Sequence, residues 1–178
     1  KAGPFPLGLL GAKARVEYQP LGVVGLISPW NFPVNLTVTP LAGILSAGNR
    51  CMIKPSEYTP ATSEAMAEMF HKAFDRSEIA VVTGGPETGA TFSGLPFDHL
   101  LFTGATSIAY HIMRAAAENL VPVTLELGGK SPVVVGRSAD LQKTTDSIMT
   151  GKMLNAGQIC LAPDYVFVPE ESIEEFIE

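Results

Sequence analysis

The chain has 178 residues, with 12 Lys plus Arg against 18 Asp plus Glu and a formal net charge of −6. Hydrophobic residues make up 46% and charged residues 17%, which excludes disorder as the dominant state, because disordered chains are apolar-poor and charge-rich. The acid excess also argues against a nucleic-acid binder, which needs a basic face to replace phosphate counterions.

The 17 Gly and 14 Pro predict many short elements separated by tight turns. Residues 14–19 alternate Val16 and Tyr18 with polar side chains, the pattern of a half-exposed strand outside a main sheet. Val23–Ile27 reads as a buried strand between Gly22 and the breakers Pro29 and Pro33. Residues 34–47 carry helical spacing (Leu36, Leu41, Ile44, Leu45) and stop at Gly48-Asn49. Arg50–Lys54 is a second strand, after which Thr59 caps a helix reaching residue 74, with Pro60 at its first position. A short strand at 78–82 leads to a turn at Gly84-Gly85-Pro86, and another strand covers 99–102. A helix over 106–119 and strands over 121–125 and 132–135 follow. The chain closes with a helix over 140–154, a strand over 165–168 and the start of a helix at 170–178.

Strands and helices therefore alternate through short connections, which predicts an α/β fold: a Rossmann-like parallel sheet with helices on both faces. Ligands of such sheets sit where strand ends meet helix N-termini. Gly128-Gly129 separates two apolar blocks and is the expected domain boundary, dividing the chain into 1–127 and 128–178.

The apolar runs at 21–28 and 133–135 fall far short of the ~20 residues that cross a bilayer. Residues 1–10 carry no signal-peptide hydrophobic region, and the missing initiator Met points to a segment of something longer. Cys51 and Cys160 are too few for a disulfide scaffold, and His71, His99 and His111 lack metal-ligand spacing. The expectation is a reduced, cytoplasmic protein without a membrane span or a metal.

Three residues stand out for chemistry. Cys160 lies in Asn155-Ala156-Gly157-Gln158-Ile159-Cys160, a shaped loop that suits a reactive thiol, although a lone cysteine is commonly a small buried hydrophobe. Cys51 lies inside an apolar strand and reads as structural. Glu126 ends the strand over 121–125, where partial burial would raise its pKa toward that of a general base; a solvated strand end or a partner for Lys130 is the alternative. Asn31, between Pro29 and Pro33 and next to Trp30, can donate to an oxyanion or simply suit an unusual turn. Lys54 and Glu57 follow the second strand, where dinucleotide folds bind ribose hydroxyls. No Gly-x-Gly-x-x-Gly follows the first strand; Phe102-Thr103-Gly104-Ala105-Thr106 is the remaining strand-to-helix junction able to face a pyrophosphate.

These segments together resemble the NAD(P)-dependent aldehyde dehydrogenase superfamily. The resemblance rests on Pro29-Trp30-Asn31-Phe32-Pro33, Ile53-Lys54-Pro55-Ser56-Glu57, Phe102-Thr103-Gly104, Leu125-Glu126-Leu127-Gly128-Gly129-Lys130-Ser131-Pro132 and Asn155 through Cys160, in that order. Leu161-Ala162-Pro163-Asp164-Tyr165-Val166, with Pro122-Val123-Thr124-Leu125-Glu126, looks most like the class 3 and coniferyl aldehyde dehydrogenase branch, which favours aromatic and apolar aldehydes. The resemblance implies Cys160 as nucleophile, Glu126 as base for thioester hydrolysis and Asn31 as oxyanion donor. It implies an NAD(P) cofactor held by Ser28, Pro29, Trp30, Lys54, Ser56, Glu57, Gly104, Ala105 and Leu127, and the Glu57 carboxylate near the ribose predicts NAD as the preferred form, with NADP used more weakly. It also implies a homo-oligomer, a dimer by preference, and a second α/β catalytic domain beginning at residue 128. Ala105 and Ala109 depart from the family's Gly-Ser-Thr-x-x-Gly pattern, and no Glu-x-Phe-Gly-Pro segment occurs in these residues. A catalytically incomplete piece or a non-catalytic derivative of the fold is the alternative. A CoA-acylating relative is disfavoured because Glu126 would be superfluous there.

Overall fold

A computed structural model describes residues 5–11 and 13–177. Five strands, β1 (Val23–Ile27), β2 (Arg50–Lys54), β3 (Ile79–Val81), β4 (His99–Gly104) and β5 (Val123–Leu127), form one sheet in the order β3-β2-β1-β4-β5. Every neighbouring pair is parallel. The connections are α1 (Asn35–Ser46), α2 (Pro60–Ala73), α3 (Pro86–Ser93) and α4 (Thr106–Ala117).

Alternation along the strands builds a core on each face, since successive side chains point opposite ways. Leu26, Ile53 and Ile79 pack under α1 and α2 with Leu41, Met66 and Phe70. Ile27, Leu100 and Phe102 pack under α3 and α4 with Phe92, Ile112 and Ala116. Leu26, Ile79 and Leu100 are wholly buried, each removal from water stabilising the fold by about 1.5–3 kcal/mol. The expected α/β class, a Rossmann-like parallel sheet covered on both faces, is what the chain adopts.

Beyond β5 the chain forms a second, two-stranded parallel sheet of β6 (Ser131–Val134) and β7 (Pro163–Phe167), joined through α5 (Leu141–Met153). Asp140 caps α5, accepting from the Lys143 N–H at 3.1 Å. A short 3-10 turn and α6 (Ile173–Ile177) replace the continuous helix expected from residue 170.

Several expectations need correction. Residues 14–20 form no strand, and no sheet edge among the described residues pairs with them. Thr59 does not cap α2 with its side chain, and its Oγ1 is buried without a partner; the fixed φ of Pro60 starts that helix. Helix α3 lies where only a turn was expected, because Pro86 opens a helix as well as it closes a turn. The fifth strand begins at Val123 rather than 121. Leu120 is left-handed, the Val121 N–H closes α4 on the Ala116 carbonyl, and Pro122 has no N–H to give a ladder. Glu126 therefore lies inside β5, not at its end, on the exposed side of an alternating edge strand.

Candidate active site

Register aligns the carboxyl ends of the strands: Ile27 pairs with Lys54 and Phe102, and Gly104 with Leu127. The segments that follow β1, β2, β4 and β5 therefore leave from one edge of the sheet. Strand order reverses between β1 and β4, and such a switch point opens a crevice outside the strand ends. A cleft of about 630 Å3 occupies that place. Asn31, Glu126 and Cys160 all line it, with Pro29, Trp30, Gly104, Ala105 and Leu127.

The turn carrying Asn31 is fixed from below. Thr37 Oγ1 lies 2.7 Å from Ser28 Oγ and 2.6 Å from the Pro33 carbonyl oxygen. A hydroxyl carries one proton, so the arrangement that satisfies all three groups has Ser28 donating to Thr37 and Thr37 donating to Pro33. Ser28 is buried and spends its hydroxyl here, and its N–H donates to the Lys54 carbonyl at 3.2 Å, so only its own carbonyl is left for a ligand. Asn31 itself donates through Nδ2 to the Gln158 carbonyl at 2.7 Å, and Asn155 Nδ2 donates to the Asn31 carbonyl at 3.0 Å.

Cys160 is exposed, whereas Cys51 is buried and burial pushes its thiol up to about 12. Thiolate chemistry at neutral pH is therefore closed to Cys51. A Cβ added at Gly129 would come 3.7 Å from the Cys160 carbonyl oxygen, so the Gly128-Gly129 turn runs beside the cysteine loop. Glu126 reaches the cleft from β5 and is exposed, so the partial burial expected from sequence is not found in this chain.

At the cleft floor α4 begins at Thr106, after Ala105 in an extended conformation that offers no side-chain cap. Its first N–H groups thus lack a side-chain partner and suit an anion, the chemistry a pyrophosphate requires. Gly104 has an internal reason to be glycine as well: a Cβ there would meet the Phe102 ring at 2.5 Å.

Ser56 and Glu57 line a separate depression of about 240 Å3 with Pro55, Pro60 and Gly84. Lys54 lines neither space. It is buried, with Nζ 2.7 Å from Glu57 Oε2 and 3.1 Å from the Pro55 carbonyl oxygen. Burial pushes the Glu57 carboxyl up, but the Lys54 hydrogen bond, its own backbone N–H and the Lys54 charge together hold it below the ordinary carboxylate range. The site residues singled out from sequence thus fall into a large cleft and a smaller recess, except Lys54 and Ser28, which are buried behind them.

The sequence profile described as the aldehyde dehydrogenase family matches residues 5–178. The chain belongs to the aldehyde dehydrogenase family. It is 67% identical to a probable coniferyl aldehyde dehydrogenase of Caulobacter vibrioides, over 100% of this chain and 37% of that protein. It is 64% identical to a coniferyl aldehyde dehydrogenase of a Pseudomonas species, over 94% of this chain and 35% of that protein. A solved Mycobacterium tuberculosis aldehyde dehydrogenase, complexed with NAD+, superimposes with a TM-score of 0.83 at 37% identity, covering 89% of this chain and 33% of that one. The chain thus spans 35–37% of the length of these two curated relatives. The resemblance to the coniferyl branch agrees with these relatives.

Sequence reasoning missed the parts of this aldehyde dehydrogenase site that act by contact alone. Asn35 and Thr39 present polar groups to the cleft from α1, and Thr37 supports the Asn31 turn from the same helix. Asn35 and Thr39 share a face by their i, i+4 spacing, and Thr37, two positions from each, points to the buried side instead. Asn155 stood inside the cysteine motif, but nothing in the sequence showed that its side chain crosses to Asn31.

Proposed function

We propose that this chain is the cofactor-binding core, residues 1–127, and the beginning of the catalytic domain, from residue 128, of an enzyme that oxidises aldehydes to carboxylic acids. The observation that carries this reading is the meeting of Cys160, Glu126 and Asn31 in one cleft at the switch point of the sheet. They come from three distant parts of the sequence. Aromatic or apolar aldehydes are the substrate class, in keeping with the relatives named coniferyl aldehyde dehydrogenase and with Trp30, Leu36 and Pro40 on the cleft wall. The working protein is a homo-oligomer, a dimer by preference.

The Cys160 thiolate adds to the aldehyde carbon, giving a hemithioacetal whose oxygen carries the charge. The Asn31 amide and the Cys160 N–H hold that oxygen. Bound NAD, or more weakly NADP, supplies the hydride acceptor that converts the hemithioacetal to a thioester. Glu126 then takes a proton from the water that attacks the thioester, and the carboxylic acid leaves as Cys160 returns to thiolate. The α4 N-terminus and Gly104 suit the pyrophosphate, Pro29, Trp30 and Leu127 the neighbouring wall, and Ser56 and Glu57 the adenosine ribose, with Lys54 holding the Glu57 carboxylate from behind. The Ser28 carbonyl completes the set.

The test is NADH formation by the full-length protein with coniferaldehyde and with acetaldehyde, beside a Cys160→Ala variant. Aldehyde-dependent NADH with a preference for coniferaldehyde, abolished in the variant, is expected. Activity that survives in Cys160→Ala removes the nucleophile assignment and the mechanism with it.

A further inference from the structure

Between α5 and Cys160 the backbone takes a conformation that side chains rarely adopt. Asn155 and Ala156 have φ of 51° and 54°, and Gly157 follows at 79°. Glycine accepts this region freely and asparagine tolerates it, but for alanine it persists only where surrounding contacts impose it.

A closed ring of hydrogen bonds supplies those contacts. Asn155 Nδ2 donates to the Asn31 carbonyl at 3.0 Å, across 124 positions of sequence. Asn31 Nδ2 donates to the Gln158 carbonyl at 2.7 Å, across 127. The Gln158 N–H donates to the Asn155 carbonyl at 3.1 Å. Both crossings end on backbone carbonyls, which only accept, so each amide must turn its nitrogen rather than its oxygen toward its partner.

We propose that Asn155 is a positioning residue: it grips the Asn31 backbone from the cysteine loop, while Gln158 fixes the Asn31 amide in return. The inference rests on the enzymatic reading above. One N–H of Asn31 is spent on Gln158, which sets the direction of the other, the one available to the substrate oxygen. The same ring ties the loop bearing Cys160 to the turn bearing Asn31, so nucleophile and oxyanion donor keep a common register. Loss of the Asn155 donor leaves a single side-chain bond across the junction. The damage falls on the step that builds charge on the substrate oxygen, not on cofactor binding.

Two variants of the full-length protein separate donor from backbone. Asn155→Gly removes the amide but suits the left-handed conformation, so a purely conformational role predicts little change. Asn155→Asp keeps size and conformational tolerance but turns a carboxylate toward the Asn31 carbonyl. The expected result is a fall of about 10–100-fold in the pre-steady-state rate of NADH formation in Asn155→Gly, and a larger one in Asn155→Asp. The NAD Kd should stay within about twofold of the parent, with kcat falling more than KM rises. Adding Asn155→Gly to Asn31→Ala should cost little more, because both act through one amide. An active parent matched by Asn155→Gly overturns the inference alone, as does full additivity with Asn31→Ala or a parallel loss of NAD affinity. A parent that oxidises no aldehyde overturns the enzymatic reading and this inference together.

Discussion

Lys54 and Glu57 form a buried ion pair, Nζ to Oε2 at 2.7 Å, in which the lysine is almost wholly enclosed and the glutamate is 30% exposed at its side chain. The carboxylate therefore has two duties: it neutralises a cation that burial would otherwise penalise, and it presents its open side to the recess lined by Ser56 and Gly84. A carboxylate there accepts hydrogen bonds from a free ribose 2′-hydroxyl and repels a 2′-phosphate. At about 4 Å and an intermediate dielectric the repulsion is of order 4 kcal/mol per charge pair, much of it offset by Lys54. NAD should be preferred over NADP in the full-length protein, and Glu57→Gln should raise the relative kcat/KM for NADP. Preference for NADP in the parent, or an unchanged ratio in the variant, shows that Glu57 does not set the choice.

The same pair gives a pH signature. Glu57 has a folded pKa below its unfolded one, so its contribution to stability is complete above the ordinary carboxylate range, near about pH 4.3. It is lost as pH falls through the depressed folded value. Urea midpoints measured from pH 7 to about pH 3 should therefore fall more steeply for the parent than for Glu57→Gln. Parallel curves contradict the pairing.

Much of this arrangement was legible in the sequence. The strands at Val23–Ile27 and Arg50–Lys54 were readable to the residue because short apolar runs bounded by Gly and Pro leave few alternatives. Asn31 and Cys160 were legible because each sits in a motif just beyond a strand or helix, and Glu126 because its motif runs from inside β5 into the Gly128-Gly129 turn. Helix α3 was not, since Pro86-Glu87-Thr88-Gly89 carries turn residues and the helix is fixed by burying Phe92 and Ser93. The sequence left a partly buried and a solvated Glu126 both open, and deciding between them took the place of β5 at the sheet edge, a fact of topology. Side-chain bonds spanning more than a hundred residues, such as Asn155 to Asn31, leave no local pattern at all.

The two thiols should differ sharply in reactivity. Cys160 is exposed in the cleft, while Cys51 is 3% exposed in β2 with its thiol pushed up to about 12. Iodoacetamide at neutral pH should label Cys160 at least about 100-fold faster, since only thiolate reacts. Unfolding in urea should bring the two rates together. Peptide mapping of the labelled protein reads both, and equal native rates would remove Cys160 as nucleophile.

Glu126→Gln tests the base. Addition of the thiolate to the aldehyde needs no help from Glu126, so the initial burst of NADH should survive in the variant. Steady turnover should slow by about 100-fold or more, because water attacks the thioester without a proton acceptor. Rapid-mixing traces resolve the two phases. Unchanged steady turnover would assign Glu126 a structural role and place the base elsewhere.

Thr37 is fully buried, and its hydroxyl joins Ser28 Oγ at 2.7 Å to the Pro33 carbonyl at 2.6 Å. Valine matches threonine in shape, so Thr37→Val changes chemistry with little change in packing. It leaves the buried Ser28 hydroxyl without its acceptor and the half-buried Pro33 carbonyl without this donor. Stranding buried polar groups costs about 1–3 kcal/mol, so the urea midpoint should fall with the denaturant slope unchanged. Adding Ser28→Ala removes one stranded group and should return part of that loss, a coupling that independent sites would not show. Because Pro33 closes the turn that carries Asn31, the single variant should also slow the NADH burst while leaving the NAD Kd near the parent value. A Thr37→Val protein as stable as the parent would mean that these bonds add nothing to the fold, and that the Asn31 turn is held by its prolines alone.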